Sequence, residues 1–389
     1  MPNLIQYKFG MFVVCFFISN IIKADTVNFH FFTEDITIRY QPNLFDGIMD
    51  GISAKSISSF YNTTEPTLYA ESVQDLLAYK QKLHLNDWLY YLLVLETAKT
   101  IYATQDPQYQ TLFCWLLLSE AGYKAQLNFH PEQLLLSVFT MNKVYDVPLK
   151  KHGWGWMAEL TSLHNSHKIT FSEDLPSFYL PKNKKAFSFD MTELPVLSNT
   201  EKERKVLQFQ HDHKIYRLNF FLDKTMMQIL ATYPELSIKN HLNMPLSHTT
   251  YNSVIPALQN LLKGKSDQEA IRFLLSFTRT AFEYQDDKIY KHDNVTFFPE
   301  ETLFYPYSDC EDRSILFAYL TKELLDIKTI LLDYTDHVAV GIKLEEVIGV
   351  GIRYDNETYV FCEPTDPKNT LDVGEFPHQL QGRTYSVFK

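Results

Sequence analysis

Three residues near the C-terminal end have the types and spacing for acyl transfer through sulfur: Cys310, His337 and Glu363. In such chemistry a thiolate attacks a carbonyl carbon. An imidazole takes the thiol proton and later returns it to the leaving group, and a carboxylate orients the imidazole. Cys310 stands just before Ile315, Leu316, Tyr319, Leu320 and Leu324, whose spacing of three and four predicts an amphipathic helix. Ser308, Asp309, Glu311 and Asp312 are helix-start residues. The sulfur is therefore expected at a helix N-terminus, where unpaired N–H groups and the macrodipole favour a thiolate. Asp309, Glu311 and Asp312 act against this by like charge, unless they are solvated residues of the first turn. The helix should end near Asp326. Strands are then expected at 328–332, at 338–342 behind His337, and at 359–362, with Glu363 at the end of the last.

These residues carry a resemblance. The segment resembles the catalytic core of the transglutaminase-like superfamily, whose members carry C-x-D, then H-x-x-V, then D-P-T. Here the three read Cys310-Glu311-Asp312, His337-Val338-Ala339-Val340 and Glu363-Pro364-Thr365, within residues 250–389 or so. The resemblance implies an α+β fold of papain-like type, with a helix packed on an antiparallel sheet. It implies Cys310 as nucleophile, His337 as base then acid, Glu363 as orienting group, and a protein or peptide substrate. Water as acceptor would make a peptidase or amidase, and an amine a transglutaminase. The chain departs from the pattern in three places: Glu363 replaces Asp, Ser308 stands where many relatives have Gly, and no aromatic residue follows His337. Asp366 remains an alternative third member.

With 389 residues the chain can form two domains, and its net charge of −11 argues against a broad phosphate-binding surface, so no nucleic-acid partner is expected. Residues 1–24 read as a secretory signal peptide: Lys8 gives a positive start, 11–22 an apolar run and Ala24 a small residue at the cut. Export to the periplasm or cell exterior follows. No later stretch is long and apolar enough for a membrane span. Removing the segment removes Cys15 and leaves Cys114, Cys310 and Cys362, an odd number that demands at least one free thiol. Cys114, in an apolar helix at 111–121, and Cys362, on a strand, read as core filler; a Cys310–Cys362 disulfide is the competing possibility. No zinc spacing and no calcium loop is present, and no cofactor is expected.

The order of elements repeats. Shifting by 204 residues lays Thr111-Leu-Phe-Cys-Trp-Leu on Ile315-Leu-Phe-Ala-Tyr-Leu and brings Glu159 onto Glu363. Upstream the shift is 182, so the second copy holds 22 extra residues between Tyr284 and Cys310. In the first copy Asp106 takes the Cys310 position and Gln133 the His337 position, a pair that cannot run thiol chemistry. The expected organisation is a non-catalytic copy at 25–190, a proline-marked linker at 191–205 and a catalytic copy at 206–389. His211-Asp212-His213 reads as a solvated hairpin turn rather than a metal pair. The insertion, which includes His292 and Asp293, ends in aromatic residues: Phe298, Phe304, Tyr305 and Tyr307 would suit the wall of a substrate groove, or core packing. Against the enzyme stands a second function, a non-catalytic binding or assembly protein of the cell envelope built on the same domains.

Overall fold

A computed structural model describes residues 24–46, 48, 51–164, 175–285, 295–366 and 368–389. The expected signal segment (Ala24 excepted), with Cys15, and His292 and Asp293 lie outside these. The fold is α+β. In the first half, β1 (Asp25–Phe31) and β2 (Glu34–Tyr40) form a hairpin, followed by helices α1 (Ala54–Thr63), α2 (Ala70–Lys82), α3 (Asp87–Ile101) and α4 (Pro107–Glu120). Then come β3 (Ala125–Phe129), β4 (Leu134–Thr140), β5 (Leu149–His152), β6 (Gly155–Glu159) and β7 (Ser177–Tyr179).

The second half repeats this order. The hairpin is β8 (Lys202–His211) and β9 (Lys214–Asp223), then α5 (Lys224–Leu230), α6 (Ile238–Leu242), α7 (His248–Leu262) and α8 (Asp267–Thr280). After β10 (Glu283–Tyr284), α9 (Pro299–Phe304) and β11 (Tyr307–Ser308) comes α10 (Cys310–Leu325). The sheet strands are β12 (Thr329–Tyr334), β13 (His337–Ile342), β14 (Gly351–Tyr354), β15 (Glu357–Cys362) and β16 (Ser386–Phe388). The two sheets run β5-β6-β4-β3-β7 and β14-β15-β13-β12-β16, the same order, with antiparallel neighbours throughout. The stretch holding the insertion supplies α9 and β11 just before α10, and β11 pairs in parallel with β10, which precedes it.

Local chemistry accounts for the helix ends. Asn86 caps α3 by accepting the Leu89 N–H at 3.0 Å, Ser266 and Glu269 form a capping box on α8, and Asp309 and Asp312 do so on α10. Asp326 ends α10 in a left-handed conformation (φ +54°). Helices α3, α4 and α10 bury residues on nearly every face, as helices sandwiched between layers do. Among the described residues no helix is long and apolar enough to cross a membrane.

Two boundary expectations change. Strand β8 begins at Lys202, so the second half starts before residue 206. The stretch read as a linker is not loose: Met191 is buried, and the Val196 N–H donates to the Leu83 carbonyl at 2.9 Å. The hairpin turn is also drier than expected. His211 is buried with its Nδ1 2.9 Å from Ser276 Oγ, while His213 is exposed.

The halves meet in one apolar cluster, while the second half keeps clusters of its own. Met226, Met227, Ile229 and Leu230 of α5, with Leu236 and Met244, pack in the same cluster as Trp88, Phe187 and Phe189 of the first half. Polar ties reinforce it: Asn86 Nδ2 donates to the Tyr233 hydroxyl at 2.7 Å, and the Trp88 indole donates to Thr232 Oγ1 at 3.2 Å. Helix α5, with Leu236 and Met244, thus packs with the first half, whereas β8 and β9 pack with α7, α8 and α10. Leu230→Ala is expected to cost about 2–4 kcal/mol, the usual penalty for such a cavity. All four tryptophans lie in the first half. In urea, their fluorescence and the alkylation of Cys362 in the second half should report one shared transition, shifted together by the substitution.

Candidate active site

Cys310 is the first residue of α10, as its capping residues require, and only 6% of its surface is exposed. Its position against β13 is set by Val338, the residue after His337. The Val338 N–H lies close enough to the Cys310 sulfur to favour its thiolate slightly, and Ser314 Oγ, one turn along α10, donates to the Val338 carbonyl at 2.8 Å. The hydrogen bond from Ser314 therefore holds the helix start beside the strand start.

His337 opens β13, and its Nε2 lies 2.8 Å from Glu363 Oε2. The other carboxylate oxygen, Oε1, accepts the Thr365 N–H at 3.0 Å. The carboxylate is therefore fixed at both oxygens, and only Nδ1 of the imidazole remains for another partner. Burial lowers the affinity of His337 for a proton, but the hydrogen bond and charge of Glu363, with Glu311 and Asp336 behind them, outweigh burial and raise its pKa above the ordinary value. Asp366 does different work. Its carboxylate accepts the N–H groups of Lys368, Thr370 and Leu371 and shapes the loop that follows, which leaves Glu363 as the partner of His337.

The thiol faces an acid. Cys310 donates to Glu311 Oε2 at 2.8 Å. Burial, then the carboxylates of Glu311 and Asp309, push the thiol far above its ordinary pKa, and the Val338 N–H offsets only part of this. The sulfur rests as a neutral thiol, contrary to the thiolate that a helix start alone would favour. Nor are all the acids solvated: Asp309 and Asp312 are buried, and besides capping α10, Asp312 accepts the Phe297 N–H at 2.7 Å.

Arg279 on α8 is a supporting residue that the sequence pattern hides. Its guanidinium donates twice to the Glu363 carbonyl, at 2.9 and 2.7 Å, and once each to Asn369 Oδ1 and the Leu371 carbonyl at 3.0 Å. The only signal was a lone arginine in the otherwise apolar run Phe273-Leu-Leu-Ser-Phe-Thr-Arg279. Beside it, buried Arg313 donates to Ser308 Oγ and the Phe282 carbonyl and ties α10 to the chain leading into it.

The expected aromatic wall is elsewhere. Phe298 is buried in the core shared by the halves, stacked on His241 at 4.2 Å between ring centres. Tyr305 stacks with Phe297 at 4.8 Å and with Tyr307 at 5.7 Å, and Phe304 packs edge-on to Tyr305. None of Phe298, Phe304, Tyr305 and Tyr307 lines the cleft at Cys310: their apolar area is satisfied by packing on one another and on both halves. That cleft, of about 1860 Å³, is lined instead by Cys310, Glu311, Val338 and Tyr284 together with Met141 and Tyr145 of the first half. Cys114, Cys310 and Cys362 are all free thiols, which removes the disulfide alternative.

The equivalent place in the first half is built differently. Asp106 caps α4 by accepting the Gln108 N–H at 2.9 Å, so by cap position it matches Asp309, and Pro107, which has no N–H, matches Cys310. Glu159 nevertheless holds the same turn as Glu363, accepting the N–H groups of Thr161 and Ser162. This carboxylate therefore has a backbone duty in both halves, and a histidine partner in one. The chain matches no protein-family model, and no curated protein or solved structure matches it.

Two outcomes are expected here. Glu311→Gln removes the charge facing the thiol and should speed iodoacetamide labelling of Cys310 at pH 7.5 on the order of tenfold, since each pKa unit is worth that factor below the pKa. For Glu363, the sign follows from the raised pKa of His337. The pairing stabilises the fold fully below the unfolded-state pKa of about 6.5 and is lost as pH rises through the folded pKa. The stability gap between wild type and Glu363→Gln, from urea titrations, should therefore be widest in acid and shrink with rising pH, while NMR shows the His337 pKa falling in the variant.

Proposed function

We propose that the second half is a transglutaminase-like cysteine acyl-transfer domain with Cys310 as nucleophile, His337 as base and acid, and Glu363 as orienting group. The observation that carries this reading is the joint placement of three groups. A cysteine at the first turn of α10 is held beside Val338 by the Ser314 hydrogen bond, and the preceding residue, His337, is held by Glu363 at 2.8 Å. In the forward step His337 takes the thiol proton and the sulfur bonds to the substrate's carbonyl carbon. The proton then passes to the departing nitrogen as the carbon–nitrogen bond breaks, leaving an S-acyl group. The N–H of Cys310, unpaired at the helix start, would help to hold the oxyanion. Water or an amine completes the cycle, as amide hydrolysis or as transamidation; the hydrolytic form is our preferred reading, with a protein or peptide as substrate. In this proposal residues 1–24 are an export signal, and the first half, without thiol or imidazole, is non-catalytic.

One observation favours a binding or assembly protein instead: the thiol is engaged by Glu311 and sits far above its ordinary pKa. Incubation with p-nitrophenyl acetate separates the two. The enzyme reading expects an added acetyl mass on Cys310, with Cys114 and Cys362 unmodified, at a rate that rises as pH passes the pKa of His337 and frees the imidazole. His337→Ala should slow it by at least about a hundredfold, the scale of a general base. No acetyl on Cys310, or the same rate in His337→Ala, would discard the enzyme in favour of the binding protein.

A further inference from the structure

The loop at 141–148, between β4 and β5, belongs to the half without thiol or imidazole at the site position, yet its Met141, Lys143, Tyr145 and Asp146 line the same cleft as Cys310. It is built to hold that position. Val144 and Val147 are buried, and Val144 bridges to Leu236 of the second half. The Tyr145 N–H donates to the Glu235 carbonyl at 2.9 Å, and Asn142 Oδ1 accepts the Phe189 N–H at 3.0 Å. From this pinned backbone Met141 and Tyr145 display large apolar side chains that are 51% and 56% exposed. Lys143 lies 4.7 Å over the Tyr145 ring. Methionine and tyrosine are residue types enriched where proteins bind other chains, because they give contact area with adaptable or amphipathic surfaces.

Size and charge narrow the occupant. A cleft of about 1860 Å³ exceeds the 300–1,000 Å³ or so typical of small-molecule pockets. Among the described residues seven carboxylates line it, including Asp146, Glu235, Glu311 and Asp333, against two ammonium groups, Lys143 and Lys239. Such a field repels polyanions and draws cationic segments.

We propose that Met141 and Tyr145 are specificity-determining residues supplied by the non-catalytic half, and that they read a polypeptide segment carrying lysine or arginine beside an apolar side chain. Calling that segment a substrate rests on the acyl-transfer reading; its binding does not. The first half is then the recognition arm of the site, and its tight docking through α5 keeps the two walls in register.

The test uses the whole chain carrying Cys310→Ala, so that binding is read without turnover. Two fluorescein-labelled twelve-residue peptides share the same leucine, tyrosine and glutamine content, one with four lysines and the other with four glutamates. Fluorescence anisotropy at low salt should show the lysine peptide binding at least tenfold tighter, with the difference narrowing at 0.5 M salt. Adding Met141→Ala and Tyr145→Ala should weaken it fivefold or more with an unchanged melting temperature, and Tyr145→Phe alone should retain most of the binding. Equal affinity for the two peptides, no binding of either, or indifference to the double substitution would overturn the proposal. Lysine-peptide binding that depends on Tyr145, in a protein that p-nitrophenyl acetate leaves unmodified, upholds the recognition arm while the enzyme reading fails. Acetylation of Cys310 without peptide binding sinks the recognition arm alone.

Discussion

Helix α10 is buried on nearly all its faces, between the sheet strands β12 and β13 on one side and α6, α8 and α9 on others. A helix of that kind cannot rotate or slide without exposing apolar area, at roughly 25 cal/mol for each Å². Its first residue is therefore held as firmly as its middle. The capping box, the bonds from Arg313 and the tie of Ser314 to Val338 turn that burial into a defined position for the Cys310 sulfur. The site is an end product of packing: a thiol at the start of the central helix and an imidazole at the start of the strand it packs on.

Electrostatics then divides the site in two. Around His337, buried negative charge raises its proton affinity and Glu363 fixes its ring. Around Cys310, burial and negative charge both favour the neutral thiol. Glu311 acts on both groups and favours a proton on each. Arg279 supports this arrangement from behind: its four hydrogen bonds go to the chain around Glu363, so a buried cation organises the loop while leaving the carboxylate to the histidine.

Comparing the halves separates scaffold from chemistry. Helix, sheet order and the carboxylate turn recur, and Glu159 shows that a buried glutamate at this corner serves the backbone without any histidine. At the first residue of α4 the first half has Pro107, which carries neither a thiol nor an N–H where α10 has Cys310. What it keeps is a rigid platform and a loop that reaches its neighbour's cleft.

The sequence by itself determined the elements and their order, because apolar spacing, caps and turn residues act over a few residues. Cys310 at a helix start, His337 at a strand start, the end of α10 at Asp326, the hairpin around residue 212 and the repeat with its insertion were all legible this way. Short edge strands such as β5 and β14, which carry little apolar signal, were not. Contacts across the chain were decided only by the tertiary structure. Phe298, with Phe304 and Tyr305 against it, packs in the cluster between the halves rather than in the cleft, and Met141 and Tyr145 of the first half line the cleft instead. The choice of Glu363 over Asp366 turned on where each carboxylate's nearest N–H groups lie. The state of the Cys310 thiol turned on desolvation and on which side chain Glu311 meets, and no spacing in one dimension encodes either.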